Sequence, residues 1–181
     1  MAPPADKSLQ QDQQRPTPGT PLAVMTHREL ASRLAKQPMY RGATGDSFFS
    51  VAQHCCVVAA EILHVGGPTA ALYALLHHAA DAVDDDASNQ IKTYSVKALH
   101  AGLQLPWPML VDEIALHQLV HLRAELSERR QFAIGPQARI DALLNAGVKP
   151  LPASIRALNW DRAADRFLSD LQAYTQRART Q

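Results

Sequence analysis

The chain has little of what secreted, membrane-embedded or nucleic-acid-coating proteins depend on. Cysteine is confined to Cys55 and Cys56. Neighbouring residues do not readily reach disulfide geometry, so a cystine framework is excluded and a reduced, cytoplasmic setting is expected. No run of about 18 apolar residues stands out as a membrane span, and the N-terminus lacks the basic region and apolar core of a secretory signal. A charge excess is also missing, since 18 Lys and Arg face 17 Asp and Glu for a net charge of +1. Binding to extended nucleic acid or a membrane surface is therefore not expected, whereas a small anionic substrate is compatible with that balance. Sustained alternation of apolar and polar residues is absent as well, which excludes a strand-rich fold.

What remains is a chain of 181 residues, 46% of them hydrophobic, long enough for one domain that buries about 70% of its unfolded surface without a metal or disulfide staple. Residues 1–22 are rich in Pro, Gln and small polar residues with almost nothing to bury, and are expected to form a disordered tail ahead of a folded unit over 23–181. From Val24 onward the apolar spacing is helical. Thr26 to Glu29 (THRE) has the form of a capping box opening a helix to about Gln37, and Ser50 to Gln53 (SVAQ) has the form of a second, opening a helix to about His64. Gly66, Gly67 and Pro68 stop that helix, and Thr69 is read as the cap of a third, apolar nearly all round and therefore central. Helices are further expected over about 90–103, 111–132 and 136–145. A Pro-rich linker then leads to a final amphipathic helix from Asn159, with Trp160, Phe167, Leu168 and Leu171 on its apolar side. The expectation is an all-α bundle of about seven helices.

The abundant residue is histidine, with eight in the chain. His54 falls within the second helix, His77 and His78 near the end of the third, and His121 inside the long helix over 111–132. Facing helices of a small bundle can point such side chains at one place in the core, and neutral imidazoles suit a transition metal. Adjacent positions on a helix point about 100° apart, so His77 and His78 share an ion only if the helix ends or faces the metal between them. The plainer reading of a bundle histidine is a half-buried side chain bonded to a carbonyl. His27 and His100 read as surface residues, His64 is ambiguous, and His117 pairs with His121 at i, i+4, a competing two-ligand geometry. Glu128, Arg129 and Arg130 read as surface charges with an ion pair.

Taken together, Arg41-Gly42, FSVAQH (Phe49 to His54), ALYALLHHAADAVDDD (Ala71 to Asp86), LPWP (Leu105 to Pro108) and SERR (Ser127 to Arg130) resemble the words of the HD-domain phosphohydrolases. The likeness is to the small bacterial 5'-deoxynucleotidase-like members, over roughly residues 38–175. The resemblance implies an HD-type helical fold, His54 as the first metal ligand and His77 as the histidine of the His-Asp pair. This chain departs from the pattern twice. His78 replaces the aspartate of the pair, and His121 stands where the last metal-binding aspartate is expected. The resemblance further implies proton transfer at Asp81, phosphate binding by Arg41, a match of Asp86 to the family's closing Gly-Asp, and hydrolysis of a phosphomonoester such as a nucleotide. Members of the fold often dimerise, and a homodimer is compatible with the apolar spread of the helices.

Four neutral imidazoles would not cancel a divalent charge, and they favour Zn, Ni, Co or Fe over Mg or Mn. They could also close a tetrahedral ion completely, as in structural zinc sites, so a catalytic version requires a higher coordination number. Two other classes stay open: a catalytically silent HD-fold module that binds a nucleotide, metal or protein partner, and a metal-dependent oxygenase, which would need more carboxylates than the sequence offers.

Overall fold

The computed structural model describes residues 25–83 and 88–180. The expected tail over 1–22 and Asp86 lie outside these residues. Among the described residues six α-helices follow one another: α1 (His27–Lys36), α2 (Val51–Leu76), α3 (Asn89–Gly102), α4 (Val111–Phe132), α5 (Gln137–Asn145) and α6 (Trp160–Ala178). There is no β-strand among the described residues. An isolated bridge between Pro38 and Ser50 closes the loop that joins α1 to α2.

The count is six rather than about seven because the expected stop at Gly66 to Pro68 is a kink. Gly67 takes φ 78° and ψ −178° inside α2, a backbone region open essentially to glycine alone. Pro68 then restarts the helix at a position where its missing N–H costs nothing. Thr69 thus lies within a continuing helix and does not cap a new one. At the other end, α2 stops at Leu76, and residues 79–82 form a separate 3₁₀ turn.

The local signals are met unevenly. At α1 the capping box is complete, with the Thr26 hydroxyl accepting from the Glu29 backbone N–H and the Glu29 carboxylate accepting from that of Thr26. At α2 only half of one forms. Ser50 Oγ accepts from the Gln53 N–H at 3.2 Å, but the Gln53 side chain turns away, donating to the Arg156 carbonyl and accepting from the Leu158 N–H. Its work is to pin the Pro-rich linker onto α2.

α2 forms the centre, packed by α1, α4 and α6. Every residue from Ala70 to Leu76 is buried, as expected for a helix apolar all round. By length and composition, α2 with its following turn matches a membrane-crossing helix. In this fold that apolarity faces protein, in a core of Leu30, Leu34, Val58, Ile62, Leu72 and Phe167. α6 presents Ala163, Phe167, Leu171 and Tyr174 to this core, the i, i+4 stripe of an amphipathic helix. Trp160 is outside that stripe: it is exposed, with Lys36 Nζ 5.1 Å from its ring centre. A smaller cluster of Leu126, Ile140 and Leu143 joins α5 to α4.

Candidate metal centre

Four features of the backbone bring the histidines together. α2 carries His54 one turn into its buried face. Because the helix ends at Leu76, His77 keeps helical angles while His78 moves to φ −101° and ψ 11°, and the two rings lie 4.2 Å apart between centroids. The turn that follows is held by α1, whose Arg33 Nη1 donates to the Ala82 carbonyl at 3.0 Å and whose Gln37 Nε2 donates to the Asp81 carbonyl at 2.6 Å. α4, packed against α2, supplies His121.

The result is a tight group. His54, His77, His78 and His121 each offer a ring nitrogen within 4.8 Å of the others. His54 is fully buried, and His77, His78 and His121 are half-buried. The Nε2 atoms of His54 and His121 are 3.2 Å apart.

The partners of the opposite ring nitrogens fix what these atoms can do. His54 Nδ1 lies 2.8 and 3.0 Å from the two carboxylate oxygens of Glu128. His77 Nδ1 lies 2.5 Å from the Ala74 carbonyl, and His78 Nδ1 lies 2.7 Å from Asp81 Oδ2. All three partners are acceptors, so in each neutral ring the contact favours the tautomer with its proton on Nδ1 and a lone pair on Nε2. The Nε2 atoms of His77 and His78 are buried with no hydrogen-bond partner among the described residues. Unpartnered ring nitrogens in a desolvated pocket are costly, and a shared cation relieves that cost. Metal-ligating histidines in general donate their other nitrogen's proton to a carboxylate or carbonyl in this way. The donor set therefore fits a divalent transition ion of the imidazole-preferring class.

Electrostatics point the same way. Burial holds the imidazole of His77 well below the usual histidine value, helped by the neighbouring rings of His54, His78 and His117. His121 is lowered to about 4, again mainly by burial and then by His54. Both rings are accordingly neutral near pH 7, the form that ligates.

The structure revises other residues. Glu128, expected at the surface, is fully buried, holds His54 and accepts from the Tyr40 hydroxyl at 2.5 Å. Burial and the Glu128 charge raise the Tyr40 hydroxyl far above its usual value, so it remains a donor. Arg129 pairs with Glu125 at 2.7 Å rather than with Glu128, and Arg130 is exposed. His100 is buried rather than superficial, donating from Nδ1 to the Val96 carbonyl and stacked on Tyr73. Asp81 has a half-exposed side chain and accepts a hydrogen bond from His78 Nδ1. Arg41 is exposed on a left-handed backbone with φ 54°. A cavity of about 460 Å³ opens beside the cluster, lined by His77, His78, His117, Gln118, His121 and Leu122. Arg41 does not line it.

The chain matches no protein-family model, and no curated protein matches it. What the centre can do is argued from its own geometry. Two residues there escaped sequence reasoning. Glu128 was hidden in a charged word, and His117 stood as a competitor of the four-histidine set although its ring faces the same cavity. Both were detectable from the helical repeat, since 117, 121, 124 and 128 follow i, i+4, i+7, i+11 along one face of α4.

Proposed function

We propose that this protein holds one divalent transition-metal ion at His54, His77, His78 and His121 and uses it to hydrolyse a small phosphomonoester, a nucleotide being the favoured class. The observation that carries the metal-binding part is the set of three Nδ1 atoms committed to acceptors, with a ring nitrogen of each of the four histidines within 4.8 Å of the others. The hydrolytic part is supported by the likeness of the words around His54 and His77 to HD-domain phosphohydrolases and by the cavity beside the rings.

An ion of this class, when bound, polarises phosphate oxygens and lowers the pKa of a ligated water. The chain's own groups do the rest. Glu128 and Asp81 orient His54 and His78, and their carboxylates lie directly behind the imidazoles, so the compensating charge that the family places in the ligands is here one layer further out. Asp81 offers one oxygen to His78, and the reading assigns its other oxygen to proton transfer. Zn, Ni, Co or Fe fits this donor set better than Mg or Mn.

A second reading, a catalytically silent HD-type module, is favoured by two observations: the Asp81 carboxylate is already engaged, and Arg41 lies outside the cavity lining. Phosphate release from a panel of nucleoside monophosphates by metal-loaded protein separates the two. Hydrolysis predicts release that is lost in His54→Ala and reduced about 100-fold or more in Asp81→Asn. Metal-loaded protein that releases no phosphate from any of them is the result that the silent module predicts.

A further inference from the structure

His117 is placed one helical turn before His121 on α4. Its ring centroid is 4.7 Å from that of His77 and 5.9 Å from that of His121. Like those of His77 and His78, its Nε2 atom is buried and has no hydrogen-bond partner among the described residues. It lines the cavity shared by His77, His78 and His121. A desolvated imidazole nitrogen without a partner is costly, and three of them around one cavity are more than a side-chain network would leave unmet. Gln118, next in sequence, also lines that cavity but is exposed. The buried donor facing it from this end of α4 is therefore His117.

We propose that His117 is a fifth nitrogen ligand of the metal centre, added to the four-nitrogen group from the cavity side. The inference rests on the metal-binding part of the reading above and adds a selectivity to it. Two histidines at i, i+4 on one helical face are a standard way of presenting two nitrogens to one ion. Four imidazoles alone satisfy the tetrahedral preference of zinc and close the shell. A fifth nitrogen on the cavity side adds nothing for an ion content with four ligands, but it stabilises ions that take five or six, such as Ni(II) and Co(II). His117 accordingly shifts the centre's preference from Zn(II) towards those ions, and it stands on the side from which a small ligand reaches the site.

The test uses the full chain, stripped of metal, as wild type, His117→Ala, His117→Gln and His54→Ala. Each is titrated with Co(II), Ni(II) and Zn(II) against a chromophoric chelator, and the visible absorption of the Co(II) form is recorded. Thermal melting of the metal-free variants checks that α4 is intact, and the glutamine variant serves if alanine disturbs the helix. The expected result is that both His117 variants still bind one ion. Their Ni(II) and Co(II) affinity falls about 10- to 100-fold, their Zn(II) affinity falls much less, and the Co(II) spectrum moves to the stronger absorption of four-coordination. Unchanged Co(II) affinity and spectrum in folded His117 variants would overturn the inference while leaving the four-histidine centre standing. Failure of the wild type to bind any of the three ions overturns the centre itself, and the inference with it.

Discussion

Single hydrogen atoms decide the character of this site. A neutral imidazole whose Nδ1 proton is held by an acceptor presents a lone pair at Nε2, and Glu128, Asp81 and the Ala74 carbonyl favour that tautomer in His54, His78 and His77. Glu128 matters most, because it is fully buried and serves both His54 and Tyr40. Replacing it by Gln keeps the shape and removes the charge, and metal affinity is expected to fall about 10- to 100-fold, measured by chelator competition. Glu128→Ala leaves the buried His54 donor and the half-buried Tyr40 hydroxyl without this partner and is expected to cost about 1–3 kcal/mol in urea unfolding of the metal-free protein. Equal affinity of Glu128→Gln and wild type would contradict the role given to the carboxylate.

The lowered histidines also set a pH dependence for the metal-free protein. In the unfolded chain a histidine takes up its proton near pH 6.5, whereas in the folded chain burial keeps His77, His117 and His121 neutral to lower pH. The folded state is thus favoured in full above about pH 6.5 and loses that advantage as pH falls, down to about 4 for His121. Glu125 acts in the same direction at the acid end. Burial raises its carboxyl, but hydrogen bonds from Arg139 and Arg129 outweigh this and hold it below the usual range. Urea midpoints should be level above about pH 7 and drop between about 6.5 and 4. A level profile through that interval would show that the buried rings are not neutral in the folded state.

At the scale of elements, the decisive features are where α2 bends and where it ends. Gly67→Ala forces a Cβ onto a backbone with φ 78°, and a loss of about 1–3 kcal/mol is expected, read from the shift in urea midpoint. A loss within a few tenths of a kcal/mol of zero would mean that the kink is not held by glycine geometry. Ending α2 at Leu76 is what allows adjacent residues His77 and His78 to face one centre, since a continuing helix would turn one of them away. Much of this was legible in the chain. The capping word at Thr26, the serine before Val51 and the prolines around α4 and α5 mark helix boundaries with local chemistry, and the helices begin and end close to those marks. Illegible were features set by tertiary contact. The Gln53 side chain left its expected cap because the linker offered it a carbonyl and an N–H. His100 was buried by Tyr73 and Trp107, neither near it on its own helix face. Glu128 looked like a surface charge because its partners, His54 and Tyr40, are distant in sequence.

Viewed as a whole molecule, the near-zero net charge and the histidine-rich centre belong to one account. A chain with +1 overall has no broad field with which to gather an anion, so the attraction for a phosphate that the proposed function requires would have to arise locally. The four imidazoles would bring no negative charge to an ion, and the carboxylates of Glu128 and Asp81 lie behind His54 and His78 rather than among the candidate ligands. The architecture serves this by threading the most apolar helix, α2, through the core with His54 on one turn and His77 and His78 at its end, and by laying α4 across it with His121. Occupation of such a centre ties α2 to α4 and stabilises the folded state by mass action. The most direct test is elemental analysis of protein purified without any metal-affinity column, together with melting of the stripped protein before and after Zn(II), Co(II) or Ni(II). The account predicts about one equivalent of a transition ion and a rise in melting temperature on adding back at least one of the three, both absent in His54→Ala/His121→Ala. Less than about a tenth of an equivalent, with melting unmoved by any of these ions, would contradict it.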